Sequence, residues 1–212
     1  MADETNGKNG ASRQRKEEIL SVAAVVFDTH GYAETTMDDI AGRAGISKGS
    51  VYNYFSSKRD LFREVFTSAV SADDRVLDTI AGQDLPTLEK ISKLLETWYE
   101  RLNDYIRIGR LVLEFWATAA RQERTGETSR WLSTMYARRR EKLAEMLREG
   151  LKRGDLPRRF DPSMAAALII SLLRGITVQA ILEGESRVDR EFLEALQRAV
   201  LAGLTGETDQ GA

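Results

Sequence analysis

The chain has 212 residues, 42% hydrophobic and 30% charged, with 31 Lys+Arg against 33 Asp+Glu for a formal net charge of −2. That is enough chain for one large domain or a small one joined to a medium one, with the composition of a globular protein that has a real core. It contains no cysteine and a single histidine, His30, which excludes disulfide frameworks, thiolate zinc sites, iron–sulfur clusters, Cys nucleophiles and multi-histidine metal centres; no cofactor is expected.

Met1 to Ala11 is polar, with no apolar segment of the kind a signal peptide needs, and is expected to be a disordered arm over 1–11. From there on, every long segment has helical periodicity and none a sustained period of two, so the chain is expected to be all-α. The first helix is expected from about Ser12 to Thr29, with Ile19, Leu20, Ala23, Ala24, Val26 and Phe27 on its apolar face. Gly31 stops it. His30, in Asp28-Thr29-His30-Gly31, reads as a cation near that helix end; a Ser–His–Asp triad is formally open.

A short second helix starts at the capping-box-like Thr36-Met37-Asp38-Asp39 and ends at Gly45. Ser47 caps a short third helix, Lys48 to Tyr54. Ser57-Lys58-Arg59-Asp60 opens a fourth, running to about Ile80. Two short helices separated by a three-residue turn with a glycine have the sequence shape of a helix-turn-helix.

Longer helices follow. Asp84-Leu85-Pro86 opens one with the stripe Leu88, Ile91, Leu95, Trp98, Leu102 and Tyr105. Others run from Ile108 to Ala120, from Thr128 to Leu151 and, after an Asp161-Pro162 start, to about Leu182. The richest apolar run, Met164 to Leu173, is broken by Ser171 and closed by Arg174. No membrane span of roughly 20 apolar residues is therefore expected, nor a membrane partner. In the last helix, Val188 and Leu193 form a hydrophobic staple around an Asp189 cap. Thr205 to Ala212 reads as a tail.

The functional signal lies between Arg43 and Arg59. Arg43, Lys48, Lys58 and Arg59 occur with no acidic residue before Asp60, and Lys8, Arg13, Arg15 and Lys16 precede Glu17. Two positive patches thus sit in a chain that is slightly acidic overall. The third helix is a poor helix on propensity: Gly49 costs about 1 kcal/mol relative to Ala. It offers instead the hydrogen-bonding groups of Ser47, Lys48, Ser50, Tyr52, Asn53 and Tyr54, and at Gly49 a bare backbone that a phosphate or base edge can approach. Val51 and Phe55, four apart, anchor the rod. This reads as DNA binding. A turn between core helices with half-buried tyrosines is the other reading of the same residues.

The run Thr35-Thr36-Met37-Asp38-Asp39-Ile40-Ala41-Gly42-Arg43-Ala44-Gly45-Ile46-Ser47-Lys48-Gly49-Ser50-Val51-Tyr52-Asn53-Tyr54-Phe55-Ser56-Ser57-Lys58-Arg59-Asp60-Leu61 resembles the DNA-binding signature of the TetR/AcrR transcriptional regulators, over roughly Ile19 to Phe66. The resemblance implies that Thr36 caps the second helix and touches phosphate. It implies that Ser47, Lys48, Gly49 and Asn53 face the major groove, and that Tyr52, Tyr54 and Lys58 bind the DNA backbone. Arg43 and Ser50 complete the candidate DNA-binding set. Further, it implies an N-terminal three-helix helix-turn-helix domain over 12–63, a larger helical ligand-binding and dimerisation domain over 64–204, and a tail over 205–212. The implied partners are a palindromic double-stranded operator, a second copy of the chain and a small-molecule effector.

The last two helices suit dimerisation, being apolar on more than one face. Leu168, Leu172, Ile176, Phe192, Leu196 and Val200 are the candidate interface, the alternative being a deeply buried helix in a monomer. Trp98, Tyr105, Glu114, Phe115, Trp116, Trp131 and Met135 are candidates for the effector pocket, although an aromatic stripe at helical spacing is also plain core. Glu114, inside an apolar stretch, reads either as an i,i+4 partner of Arg110 or as a buried carboxylate for a cationic or hydrogen-bond-donating effector. The expected function is a cytoplasmic, ligand-responsive transcriptional regulator, a repressor released by its effector, with activation also open. An enzyme is disfavoured because no catalytic constellation or phosphate loop is present. A helical adaptor with a vestigial DNA module is the remaining alternative.

Overall fold

The structure, a computed structural model, describes residues 3–107, 109–121, 126–157, 160–183 and 188–206. Among the described residues there are nine helices and no strand: α1 Asp3–Glu34, α2 Met37–Ala44, α3 Lys48–Tyr52, α4 Lys58–Ala81, α5 Thr87–Arg107, α6 Gly109–Arg121, α7 Glu127–Arg153, α8 Pro162–Glu183 and α9 Arg190–Thr205. The starts and stops follow local chemistry. Asp161 accepts from the Ser163 N–H at 3.0 Å behind Pro162, and Asp189 accepts from the Phe192 N–H at 2.9 Å.

Two helices differ from expectation. α1 begins at Asp3 rather than Ser12, so residues 3–11 are helical where a disordered arm was expected. No proline interrupts that stretch, and extending an existing helix avoids the cost of a new nucleus. α3 ends at Tyr52, two residues earlier than anticipated. Residues 207–212, most of the expected tail, lie outside the described residues.

The chain divides into two compact units, Met1–Ser71 with Ile108–Ala117, and Ala72–Arg107 with Thr118–Ala212. The division thus falls within α4 rather than at 63/64, and the first part of α6 joins the N-terminal unit.

In the first unit, Ile19, Phe27, Ile40, Val51, Phe55 and Leu61 are almost wholly buried. Phe27 meets Phe62 edge-on at 5.2 Å between ring centroids, and the Tyr32 ring lies 4.5 Å from that of Phe62. The second unit is built around Ile91, Leu95, Leu143, Leu147, Ala166, Ile169, Ile176, Leu193, Leu196, Val200 and Leu204. Lys90, 2% exposed, is buried here because its ammonium donates to the Ala81 carbonyl at 2.7 Å, at the last residue of α4.

α8 has an apolar surface on all sides. Its 22 residues make it the one helix, among the described residues, long and apolar enough by length and composition to cross a membrane. That corrects the expectation from uninterrupted runs: Ser171 and Arg174 break the run without making the helix polar. One face, with Ala166, Ile169, Ile176 and Ala180, is buried; Met164, Leu168, Leu172 and Leu182 are exposed.

Thr87, wholly buried, donates through both its N–H and its hydroxyl to Asp155, at 3.2 and 3.1 Å. A β-carbon added at Gly150 of α7 would lie 2.8 Å from Thr87 Cβ and 2.9 Å from its Cγ2. Gly150→Ala gains about 1 kcal/mol in helix propensity but meets a pinned side chain, and overpacking of that kind costs about 1–3 kcal/mol. The variant is expected to unfold at lower denaturant concentration than the parent, with an unchanged slope, in equilibrium denaturation followed by circular dichroism.

Candidate nucleic-acid interface

α2 is set by a reciprocal cap. The Asp39 N–H donates to Thr36 Oγ1 at 3.2 Å, and the Thr36 N–H donates back to Asp39 Oδ2 at 2.8 Å. The side-chain bond from Thr36 Oγ1 and the one from its backbone hold the Asp39 carboxyl below the usual carboxylate range. Met37, Ile40 and Ala41 bury one face, and Gly45, at φ 67°, ends the helix in the left-handed region that glycine occupies without strain. The Ile46 N–H donates to the Ala41 carbonyl at 3.1 Å, closing the turn.

Two residues later Ser47 starts α3, its Oγ accepting from the Ser50 N–H at 3.1 Å. Val51 and Phe55, 0% and 1% exposed, fix the rod from beneath. Arg43, Ser47, Lys48, Gly49, Tyr52 and Asn53 are left on the surface; Ser50 and Tyr54 are partly buried, and Thr36 is exposed at the start of α2. A β-carbon at Gly49 would meet only Ser47 Oγ, at 3.9 Å. Nothing inside the protein therefore demands a glycine there.

Lys48 donates to Asp38 at 2.7 Å, a hydrogen bond and charge pairing that raise the lysine above its ordinary pKa. The pair links α2 to α3 on the exposed side. Sequence reading missed Asp38 because residues ten apart on two helices leave no periodic trace. The expected N-terminal positive patch is likewise interleaved with carboxylates: Arg13 pairs with Glu17, Arg15 with Glu18 and Lys16 with Glu64.

Lys58 lies apart from the other expected backbone contacts. Its ammonium turns inward and donates to the carbonyls of Tyr32 at 2.7 Å, Ala33 at 3.1 Å and Thr35 at 2.7 Å, lying 4.6 Å from the centre of the Tyr32 ring. Three donors meet three carbonyls at the end of α1, so the group is occupied inside the fold rather than offered to a phosphate. The kink above it is Gly31, at φ 78°.

Glu114 also has a partner within the first unit. Its Oε2 accepts from the Tyr32 N–H at 2.7 Å, satisfying a donor freed by that kink, rather than facing an effector. Burial raises the Tyr32 phenol above its ordinary value; Arg59 opposes the shift and the Glu114 charge adds to it.

Trp116 belongs to the first unit with Glu114, whereas Trp98, Trp131 and Met135 are half-buried in the second. The side chains of Tyr105 and Phe115 lie outside the described residues. A cleft of about 220 Å³ in the first unit is lined by Glu17, Leu20, Ser21, Ala24, Val65, Ser68 and Leu111, none of them an expected ligand residue. Of the dimer candidates, Leu168, Leu172 and Phe192 are exposed, but Ile176, Leu196 and Val200 face their own core. Met164 and Leu182, which the sequence reading left out, belong to the exposed set.

Two short helices joined by a glycine turn, the second anchored by Val51 and Phe55 and presenting polar groups outward, form a helix-turn-helix DNA-binding unit. A family model described as bacterial regulatory proteins, tetR family, matches residues 19–65, and another, described as BetI-type transcriptional repressor, C-terminal, matches residues 88–206. The chain belongs to the TetR family and is a DNA-binding transcriptional regulator. It is 29% identical over 177 residues to the uncharacterised HTH-type transcriptional regulator YfiR of Bacillus subtilis, covering 83% of this chain and 84% of that one. It is 25% identical over 179 residues to the HTH-type transcriptional repressor BepR of Brucella suis, with 83% and 84% covered. In fold it is similar to SmeT, the repressor of the Stenotrophomonas maltophilia multidrug efflux pump SmeDEF, with a TM-score of 0.74 at 20% identity over 92% of this chain and 91% of SmeT.

The two lysines are expected to separate cleanly. Lys48→Ala should lower the salt dependence of DNA binding by about 0.9 in log–log slope and leave thermal stability nearly unchanged. Lys58→Met should leave the slope unchanged and lose about 1–3 kcal/mol of stability, because carbonyls lose their donor. Salt-titrated fluorescence anisotropy and thermal melts of the same preparations check both.

Proposed function

We propose that the protein is a repressor that binds a palindromic operator as a homodimer and is released by a small-molecule effector. The observation that carries the reading is α3: Gly49, Tyr52 and Asn53 are exposed, nothing within the protein requires a glycine at 49, and Val51 and Phe55 do the anchoring. Gly49 lets DNA approach the backbone, Asn53 is placed to read a base edge, and Ser47, Lys48, Ser50, Tyr52 and Tyr54 serve bases and phosphates, with Thr36 and Arg43 on the flanking backbone. The exposed Leu168 and Leu172 of α8 and Phe192 of α9, with Met164 and Leu182, form the dimer surface. Two copies then present α3 at about 34–36 Å, one turn of DNA, or at a multiple of it.

BepR, named a repressor, supports the sign of regulation. An effector that weakens operator binding tenfold must favour the released state by about 1.4 kcal/mol. A DNA partner places the protein in the cytoplasm, and the role requires no catalytic group.

Selection of random duplex DNA by the purified protein, followed by sequencing, tests the proposal: an enriched palindrome is expected, and no enrichment in the free protein overturns it. On the selected operator, Gly49→Ala is expected to cost about tenfold in affinity, roughly 1.4 kcal/mol, with an unchanged melting temperature. Leu168→Asp is expected to yield monomers in analytical ultracentrifugation and to lose cooperative binding to the full palindrome while still folding.

A further inference from the structure

Arg174, on the flank of α8 towards α7, has no carboxylate paired with it among the described residues. Its guanidinium carbon lies 3.3 Å from the centre of the Tyr136 ring. Both Nε and Nη2 are shut off from solvent and have no hydrogen-bond partner. Those two nitrogens form one edge of the guanidinium fork, with parallel N–H bonds spaced to meet two oxygens of one carboxylate or phosphate. Burial pushes its pKa down, and among the described residues the charges of Arg140 and Arg139, one turn along α7 from Tyr136, add to that against the tyrosine. Arg139 already has a partner in Asp74, at 2.6 Å, and that carboxylate is not shared with Arg174.

Burying a charge without a partner is costly, and hydrophobic side chains of similar size are commonly better at such a place. A guanidinium over an aromatic ring, with its bidentate edge buried and without a hydrogen-bond partner and with the charges of two more arginines acting on it, is complementary to an anion. The surroundings fit an apolar body behind that anion. One turn further along α8, Thr177 holds the indole of Trp98 through a bond from Nε1 at 3.1 Å.

We propose that Arg174 receives the anionic head group of the effector, a carboxylate or phosphate on an apolar or aromatic body. This rests on the effector-released reading above. In the free chain the fork edge is closed to solvent, so whatever covers it must shift when the anion enters. Occupying the site is thereby coupled to a rearrangement among α5, α7 and α8.

The test uses the full chain, with benzoate, inorganic phosphate and neutral benzyl alcohol at ionic strength held constant with chloride. Benzoate, phosphate or both should raise the melting temperature by about 2 °C or more, and benzyl alcohol should not. Arg174→Met should abolish the rise while melting, in chloride, no lower than the parent. Arg174→Lys, which keeps the charge but not the fork, should keep only part of it. A response to benzoate assigns a carboxylate head and one to phosphate a phosphoryl head. The stabilising anion should also weaken operator binding of the parent at least threefold, and leave Arg174→Met unaffected.

No anion-specific rise, or the same rise in Arg174→Met, overturns the site. A rise without loss of operator affinity overturns its role as the effector site. Enrichment of a palindrome with no anion response sinks this inference alone, whereas an anion response with no enrichment sinks the repressor reading and leaves the anion site standing.

Discussion

The DNA-binding unit is held at the point where α1 stops. The backbone turn at Gly31 leaves an N–H and several carbonyls with no helical partner, and in a packed interior such groups must find one. Two side chains from distant parts of the chain supply them: Glu114 of α6 takes the Tyr32 N–H, and Lys58 of α4 reaches the carbonyls of Tyr32, Ala33 and Thr35. The Tyr32 ring then packs on Phe62 and under the ammonium. The entry to α2, and through α2 the placing of α3, is determined by that junction. Opposite charges serve the same polar break from opposite sides, so neither is left buried without a partner.

The second unit uses the same device once more, Lys90 taking the carbonyl of Ala81 at the end of α4. It differs in having an apolar helix, α8, with more greasy surface than its own core can cover. A core face and an exposed face on one helix are what an assembly of two chains requires, and the isolated chain leaves the second face open. The flank between them holds Arg174. The sides of α8 thus differ: one is covered by its own core, one is exposed and apolar, and the flank holds a guanidinium edge shut off from solvent.

What could be read from the sequence was local. Thr36 with Asp39, Ser47 with Ser50, and Asp189 with Phe192 are caps three residues apart, and short spacing leaves a pattern. Val51 and Phe55 were legible as anchors for the same reason. Lys58 was not: a lysine beside an arginine at a helix start has the same signature whether its ammonium points to a phosphate or back to carbonyls 23 to 26 residues earlier. Glu114 and Tyr32 are 82 residues apart, and nothing in either neighbourhood marks the pairing. On α8, Leu172 and Ile176 are equally apolar and four apart, yet one is exposed and the other buried. Where a helix is hydrophobic all round, periodicity cannot distinguish its faces.

The arrangement of α3 has a consequence for how such a protein changes over generations. The residues that keep the rod in place, Val51 and Phe55, are buried, whereas Gly49, Tyr52 and Asn53 are exposed on its outer side. Substitutions on the outward side can therefore accumulate without crossing a folding threshold. A lineage built on this scaffold is free to drift from one target site to another, and recognition can be retuned by exchanging a few surface side chains on an unaltered frame.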